Sequence, residues 1–318
     1  MEKHKEVLDL VIIGAAAAGC SAAVYAARRN LNFVVVAKDI GGEVALSGEV
    51  ENWIGIEHIT GYELAQNFYK HAKSYGVQID EGWGIEKIEK EGKLIKLFAK
   101  NIIGDERIYT TKTVIISSGI HPRSLGAEGE DKLRGMGVTY CTVCDGPLFR
   151  NKITTTIGAG NSALESVLML SELVKKAYII TKYPESNQGG FPRGEDILIK
   201  KMKAKENVEI IYEAVTQEIL GDTVVSGVTY TQHGETKEIL TNGVMIHIGM
   251  IPNSYFVECT QKNTAGEIIV NTKCETSCEG IFAAGDVTDV PYKQISIAAG
   301  QGAVAALSAI DYINHFEE

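Results

Sequence analysis

Leu8-Asp-Leu-Val-Ile-Ile-Gly14-Ala-Ala-Ala-Ala-Gly19-Cys20 is the stretch that decides the fold. The run over residues 8–13 suits a strand buried on both faces in a parallel sheet. The glycines mark a turn, and the small residues from Cys20 to Arg29 read as a helix. Phe33-Val-Val-Val36 then completes a strand–helix–strand unit. In such a unit a glycine-rich turn delivers a pyrophosphate to a helix N-terminus. The motif departs from G-x-G-x-x-G: Ala16 stands at the second glycine, and Ala37 stands where an acidic residue would hold a ribose. Taken alone, the pattern is shared by dinucleotide sites and by plain strand–helix turns.

A second copy lies further on. Lys152-Ile-Thr-Thr-Thr-Ile-Gly158 reads as a strand, and Gly158-Ala159-Gly160-Asn161-Ser162-Ala163 is a full G-x-G-x-x-A. A helix over about 163–174 and a strand over 177–180 complete the unit. Between the two copies stands Cys141-Thr-Val-Cys144-Asp145-Gly146. A C-x-x-C pair can cycle between dithiol and disulfide. Zinc would need a second such pair at a suitable distance, and Cys20, Cys259, Cys274 and Cys278 offer only a C-x-x-x-C with no histidine near either pair. Redox is the better reading, with Asp145 placed to supply and remove the proton of thiol–disulfide exchange. Reduced cysteines in a turn share the spacing, so the flanking chain decides. Two dinucleotide turns separated by a C-x-x-C are far more specific than any one of the three.

The 318 residues suffice for two ordinary domains. Hydrophobic residues make up 45% and charged residues 23%, a globular balance. A formal net charge of -10 argues against nucleic acid or an anionic membrane as main partner. No apolar run is read as transmembrane and no signal-peptide core precedes the first strand, so the expected compartment is the cytoplasm. The four remaining cysteines read as core or loop residues, and no metal is expected.

Along the rest of the chain, Gly41-Gly42-Glu43 reads as a loop whose backbone can lie close to a ligand, and Asn52 in the next polar loop as a cofactor hydrogen-bonder or a turn former. Residues 62–75 carry a helical apolar stripe. Residues 77–116 alternate like an antiparallel meander and end in a buried strand closing on Gly119. The stretch from Pro184 to Gly194 reads as a loop, and residues 206–247 alternate again. Gly280-Ile-Phe-Ala-Ala-Gly285-Asp286 is a short buried strand followed by a carboxylate at its end. Residues 294–313 form a helix of small residues whose N-terminus can approach a ligand closely.

With these stretches in this order and spacing, the chain resembles a low-molecular-weight thioredoxin reductase from end to end. The resemblance implies an α/β fold of two Rossmann-like, three-layer ββα dinucleotide-binding domains, the second inserted into the first. Residues 1–117 and 247–318 would bind FAD, and residues 118–246 would carry a NAD(P)H-binding-like domain with the redox pair. FAD contacts fall on Gly14, Ala16, Ala18, Gly19, Gly41, Gly42, Glu43, Asn52, Gly119, Gly285, Asp286, Lys293, Gln294 and Ile295. By the same resemblance Cys144 faces the flavin, Cys141 attacks a thioredoxin-like protein and Asp145 is the acid–base partner. The family also implies a homodimer whose smaller domain rotates about linkers near residues 117–120 and 244–248.

The departures concern the second nucleotide site, Gly158, Gly160, Asn161, Ser162 and Lys182. Where NADPH-using members carry His-Arg-Arg, this chain has Thr181-Lys182-Tyr183. Arginines clamp a 2′-phosphate with planar forks, whereas one lysine is a point charge. The loop with Gln188-Gly-Gly190 also differs. NADPH is therefore expected to be a poor donor, with ferredoxin or another reductant in its place. Two rival readings are a dithiol oxidase passing electrons to oxygen and a flavin-binding redox sensor.

Overall fold

In the computed structural model, which describes residues 2–3, 7–47, 49–185 and 194–316, Leu8–Ala15 is an interior strand of an eight-stranded sheet. It pairs in parallel with Phe33–Ile40 on one side and Glu106–Ile116 on the other. Ile281–Ala283 adds a parallel strand beyond Glu106–Ile116. The run is continuously apolar because both of its faces are covered. Leu10 and Ile12 face the helices, while Val11 and Ile13 face a second layer containing Ile85, Ile95, Leu97 and Tyr109. That second layer is the antiparallel set Trp83–Glu91, Leu94–Asn101 and the first half of Glu106–Ile116.

The chain divides into two units. The first comprises residues 1–46, 53–121 and 251–318, and the second residues 47–52 and 122–250. The second unit repeats the plan on a parallel sheet ordered Val138–Thr139, Gly243–His247, Ile153–Gly158, Lys176–Ile180, Val208–Ile211. Asn161–Ser171 covers one face through Ala163, Leu164, Val167 and Leu170. The antiparallel strands Ala214–Gly221, Val225–Gln232 and Glu235–Leu240 cover the other through Ile219, Val228, Tyr230 and Ile239. Each unit is thus a three-layer α/β domain of the Rossmann type, and the second interrupts the first in sequence.

Several local expectations change. Ile79–Glu81 is not part of the meander; it pairs in parallel with Phe33–Ile40, since the helix Gly61–Ser74 returns the chain to the same direction. Gly42 and Glu43 are not loop but the start of the helical turn Gly42–Ala45, entered through a left-handed Gly41. A helix, Asp196–Lys203, lies in a stretch the sequence left unassigned. Residues 186–193, which hold Gln188-Gly-Gly190, lie outside the described residues.

The final helix, Ile295–Asn314, is by length and composition apolar enough to cross a bilayer, contrary to the reading that no run is. Its small residues serve a helix crossing. Gly302 lies so close to the helix Ala17–Arg28 that a Cβ there would sit 2.1 Å from the Ala18 carbonyl oxygen. Ala298, Ala305, Ala306 and Ala309 are buried in the same cluster as Ala18, Ala22 and Ala26.

Candidate active site

In the second unit Cys141 caps the single helical turn Thr142–Asp145 and is joined to Cys144 by a disulfide, with Cα atoms 5.3 Å apart. The turn aims the Cys144 peptide N–H at Cys141 Sγ, 3.3 Å away, and Thr139 Oγ1 accepts from the Cys141 N–H at 3.1 Å. An N–H directed at sulfur favours the thiolate once the disulfide opens. Val143 between the sulfurs is 58% exposed, so this edge faces solvent.

Asp145 is buried behind the pair. Thr139 Oγ1 donates to its Oδ2, while Oδ1 is buried with no hydrogen-bond partner. Burial raises the carboxyl above its ordinary pKa, against the opposing pull of Thr139. A carboxyl in that state readily holds a proton. A cavity of about 90 Å³ adjoins it, lined by Glu49, Val138, Thr139, Leu148 and Phe149, and is roomy enough for water.

Three further residues support the turn, and no local motif announces them. Thr142 Oγ1 lies 2.6 Å from Ser166 Oγ and 2.8 Å from His247 Nε2. Burial depresses His247 to about 4, so it stays neutral near pH 7. His247 closes the strand Gly243–His247, whose register sets it beside Gly158, and only that pairing brings it to Thr142. Glu130 accepts from the Tyr140 hydroxyl at 2.7 Å and from the peptide N–H groups of Leu125 and Gly126, steadying the approach to Cys141.

Most of the expected cofactor residues meet at the carboxyl edge of the first unit's parallel sheet, where ligands of such sheets lie. Gly14, at φ +104°, crosses so close to Ser117 that a Cβ would fall 2.4 Å from its carbonyl oxygen. Ala16 is the N-cap of Ala17–Arg28 with no side-chain cap, which leaves the helix N–H groups to a ligand. A Cβ on Gly42 would meet Ala16, and one on Gly285 would meet Ala18, so those turns adjoin. Asp286 Oδ1 is buried without a hydrogen-bond partner, and burial pushes the carboxyl up to about 6 despite Lys293; Glu43 pushes the same way. An orphaned acceptor beside an open helix N-terminus fits the hydroxyl-rich and pyrophosphate parts of FAD.

Lys293 is held by Glu267 at 2.8 Å and by the Thr288 carbonyl, and Gln294 and Ile295 begin the final helix. Gly119 follows Glu106–Ile116 and accepts from the Asn253 N–H at 3.0 Å. Asn52 lies in the segment 47–52, which belongs with the second unit.

At the second nucleotide turn, Gly158 repeats the crossing of Gly14, with a Cβ position 2.3 Å from the His247 carbonyl oxygen. Gly160 caps Asn161–Ser171 and faces open space. The Asn161 side chain is engaged with Glu195: its amide donates to the carboxylate at 2.9 Å and its oxygen accepts the Glu195 N–H at 2.8 Å. Ser162 is exposed, and Lys182 is exposed with its ammonium 5.6 Å from the Tyr183 ring centre. Among the described residues no cluster of three or more His, Cys, Asp or Glu could hold a metal ion.

Residues 8–302 match the family model of pyridine nucleotide-disulphide oxidoreductases. The chain is 37% identical over 97% of its length to an NADH dehydrogenase of Bacillus subtilis, and it spans 58–60% of the length of the curated relatives it matches. Among solved structures it is similar to a thioredoxin reductase of Streptococcus pyogenes, with TM-score 0.89, 33% identity, and coverage of 98% and 99% of the two chains. It is also similar to a ferredoxin-flavin thioredoxin reductase of Clostridium acetobutylicum, with TM-score 0.51, 30% identity, and coverage of 99% and 98%. The chain belongs to the pyridine nucleotide-disulphide oxidoreductase family, with the fold of the low-molecular-weight thioredoxin reductases and a C-x-x-C disulfide in its second unit.

Proposed function

We propose that this protein is a flavoprotein disulfide reductase that passes two electrons through Cys141 and Cys144 to a thioredoxin-like protein. The observation that carries this is the Cys141–Cys144 disulfide backed by Asp145, whose Oδ1 is buried and unpartnered. FAD held by Ala16, Ala18, Glu43, Asp286 and the N-terminus of Ile295–Asn314 would supply the carrier between donor and disulfide. In the reduced pair, the Cys141 thiolate attacks the substrate disulfide, and Asp145 gives a proton to the departing substrate sulfur. Cys144 then loses its proton and displaces the second substrate thiol, restoring Cys141–Cys144. Two protein thiols and one substrate disulfide become one protein disulfide and two substrate thiols.

The donor belongs to the same proposal. Thr181-Lys182-Tyr183 lacks the forked cations a 2′-phosphate needs, and Glu195 adds a negative charge at the Asn161 turn. NADPH is then a poor donor, and reduced ferredoxin or another reductant takes its place; the ferredoxin-flavin relative supports the first. Anaerobic addition of NADPH, NADH and reduced ferredoxin to the yellow holoprotein, read by flavin bleaching, separates them. Bleaching by none, with FAD bound, would refute the reductase reading. Cytoplasmic location and a homodimer complete the proposal; light scattering that gave a mass near the 34.5 kDa of one chain would reject the dimer.

A further inference from the structure

We propose that Gln301 is a positioning residue for the cofactor: its side-chain amide fixes the turn carrying Asp286 against the open N-terminus of Ala17–Arg28, so that one FAD can meet both. The inference rests on the FAD reading given above and adds to it a residue that no glycine motif or strand end marks. Gly285 follows the strand Ile281–Ala283 at φ +78° and is buried. Its carbonyl accepts the Thr288 N–H at 3.0 Å and the Thr288 hydroxyl at 2.8 Å, which closes a turn around Asp286 and Val287. The Gly285 N–H finds its acceptor on another element. Gln301 Oε1, in the helix Ile295–Asn314, takes it at 2.8 Å and lies 3.3 Å from the Thr288 hydroxyl. One amide oxygen thus grips both ends of the turn, and the two donors fix which way the amide faces.

The grip also sets a distance. Gln301 is followed by Gly302, where a Cβ would sit 2.1 Å from the Ala18 carbonyl oxygen, so this point of the final helix is pressed against Ala17–Arg28. A Cβ on Gly285 would lie 3.1 Å from that of Ala18 and 3.4 Å from that of Ala298, so the turn itself sits between the two helices. Gln301 locks it there. Without the amide oxygen the Gly285 N–H is buried with no acceptor, and a polar group in that state draws its backbone toward another partner. Asp286, the next residue, moves with it. Burial raises the Asp286 carboxyl most, Lys293 opposes the rise and Glu43 adds to it. Those charges stand on other segments, so a change at Gln301 alters the placement of Asp286 and leaves the groups that tune it.

Gln301→Leu keeps the side-chain length and the helix propensity but removes the acceptor. Full-length chain stripped of flavin is titrated against FAD, and affinity is read from fluorescence quenching at pH 7.5 and pH 5. Gln301→Leu should bind roughly tenfold more weakly than wild type at pH 7.5, the scale of losing two neutral hydrogen bonds. At pH 5, where Asp286 has taken up its proton, the two should differ by less than about twofold. On an Asp286→Asn background Gln301→Leu should likewise cost less than about twofold, because the two residues act as one unit. Gln301→Glu keeps acceptor oxygens for both donors and should stay within about threefold of wild type at pH 7.5. The proposal is overturned if Gln301→Leu matches wild type at pH 7.5, or if Gln301→Glu is as weak as Gln301→Leu. It is equally overturned if the loss is the same at both pH values, since a merely loosened helix would not follow the Asp286 charge. Wild-type chain that takes up no FAD would instead sink the cofactor reading, and this inference with it. Should Gln301→Leu not fold, Gln301→Asn, one methylene shorter, carries the same expectations.

Discussion

Asp145 and Asp286 are both carboxylates that burial has pushed upward, yet the consequences differ. Asp145 directly follows Cys144 in the chain, and in the proposed mechanism its raised pKa makes it a proton store. Asp145→Asn keeps the shape and the Thr139 contact but removes that store. Disulfide reduction should slow by roughly a hundredfold, within the range of general acid–base contributions. Stopped-flow turnover with a thioredoxin-like substrate checks this, and near wild-type turnover would remove Asp145 from the mechanism. Asp286 couples its protonation to folding and to cofactor binding. A folded carboxyl raised to about 6 contributes stability below its unfolded pKa, and that contribution is lost as pH rises through 6. FAD hydroxyls that donate to the carboxylate reverse the preference. Binding should therefore weaken by up to about tenfold per pH unit below 6 and level off above it. Quenching of FAD fluorescence by apoprotein at pH 5 and pH 7.5 measures it; equal affinity at both would mean Asp286 does not accept from the cofactor.

At the scale of elements, the final helix shows how packing separates residues that look alike. Gly300 and Gly302 are two positions apart in Ile295–Asn314. A Cβ on Gly300 meets nothing within 4 Å, whereas one on Gly302 would lie 2.1 Å from the Ala18 carbonyl oxygen. Gly300→Ala should stabilise by about 0.5–1 kcal/mol through helix propensity. Gly302→Ala carries the same propensity gain but forces Ile295–Asn314 away from Ala17–Arg28, at a cost of roughly 1–3 kcal/mol. Urea midpoints of the two apoproteins should move in opposite directions. If they move together, the helix crossing is not as close as described. Because Ala17–Arg28 also opens the cofactor turn, Gly302→Ala should lower FAD retention as well.

For the molecule as a whole, the proposed change of electron donor turns on what surrounds the second glycine turn. The G-x-G-x-x-A turn binds a pyrophosphate, which several dinucleotides share, so an intact Gly158–Ala163 does not report the donor. Losing two charge-assisted contacts to a 2′-phosphate costs on the order of 3–6 kcal/mol, at about 1.5–3 kcal/mol each. That is roughly a hundredfold to ten-thousandfold in affinity. Replacing Thr181-Lys182-Tyr183 by His-Arg-Arg should bring a partial gain in NADPH-driven flavin reduction. Adding Glu195→Gln, which keeps a hydrogen-bonding partner for Asn161 but removes the charge, should bring a further gain of about two- to fivefold. Anaerobic flavin bleaching at rising NADPH reads both steps. No gain from either change would mean the site is closed to the dinucleotide, and micromolar saturation of the unaltered protein would mean a phosphate site lies elsewhere.

The sequence by itself determined the elements whose signal is local: the doubly buried run Leu8–Ile13, the two glycine turns, the Cys141–Cys144 spacing and Asp286 at a strand end. Each depends on covalent neighbours, since periodicity, glycine torsions and short thiol loops act within a few residues. Tertiary structure alone decided what depends on distant chain meeting chain. His247 reaches Thr142 only because its strand pairs with Ile153–Gly158, and Glu195 meets Asn161 from 34 residues away. Ile79–Glu81 joins a parallel edge although its alternation reads as a meander. Side-chain pattern records which faces are buried, whereas strand direction and side-chain partnership are set by where the connecting segments return the chain.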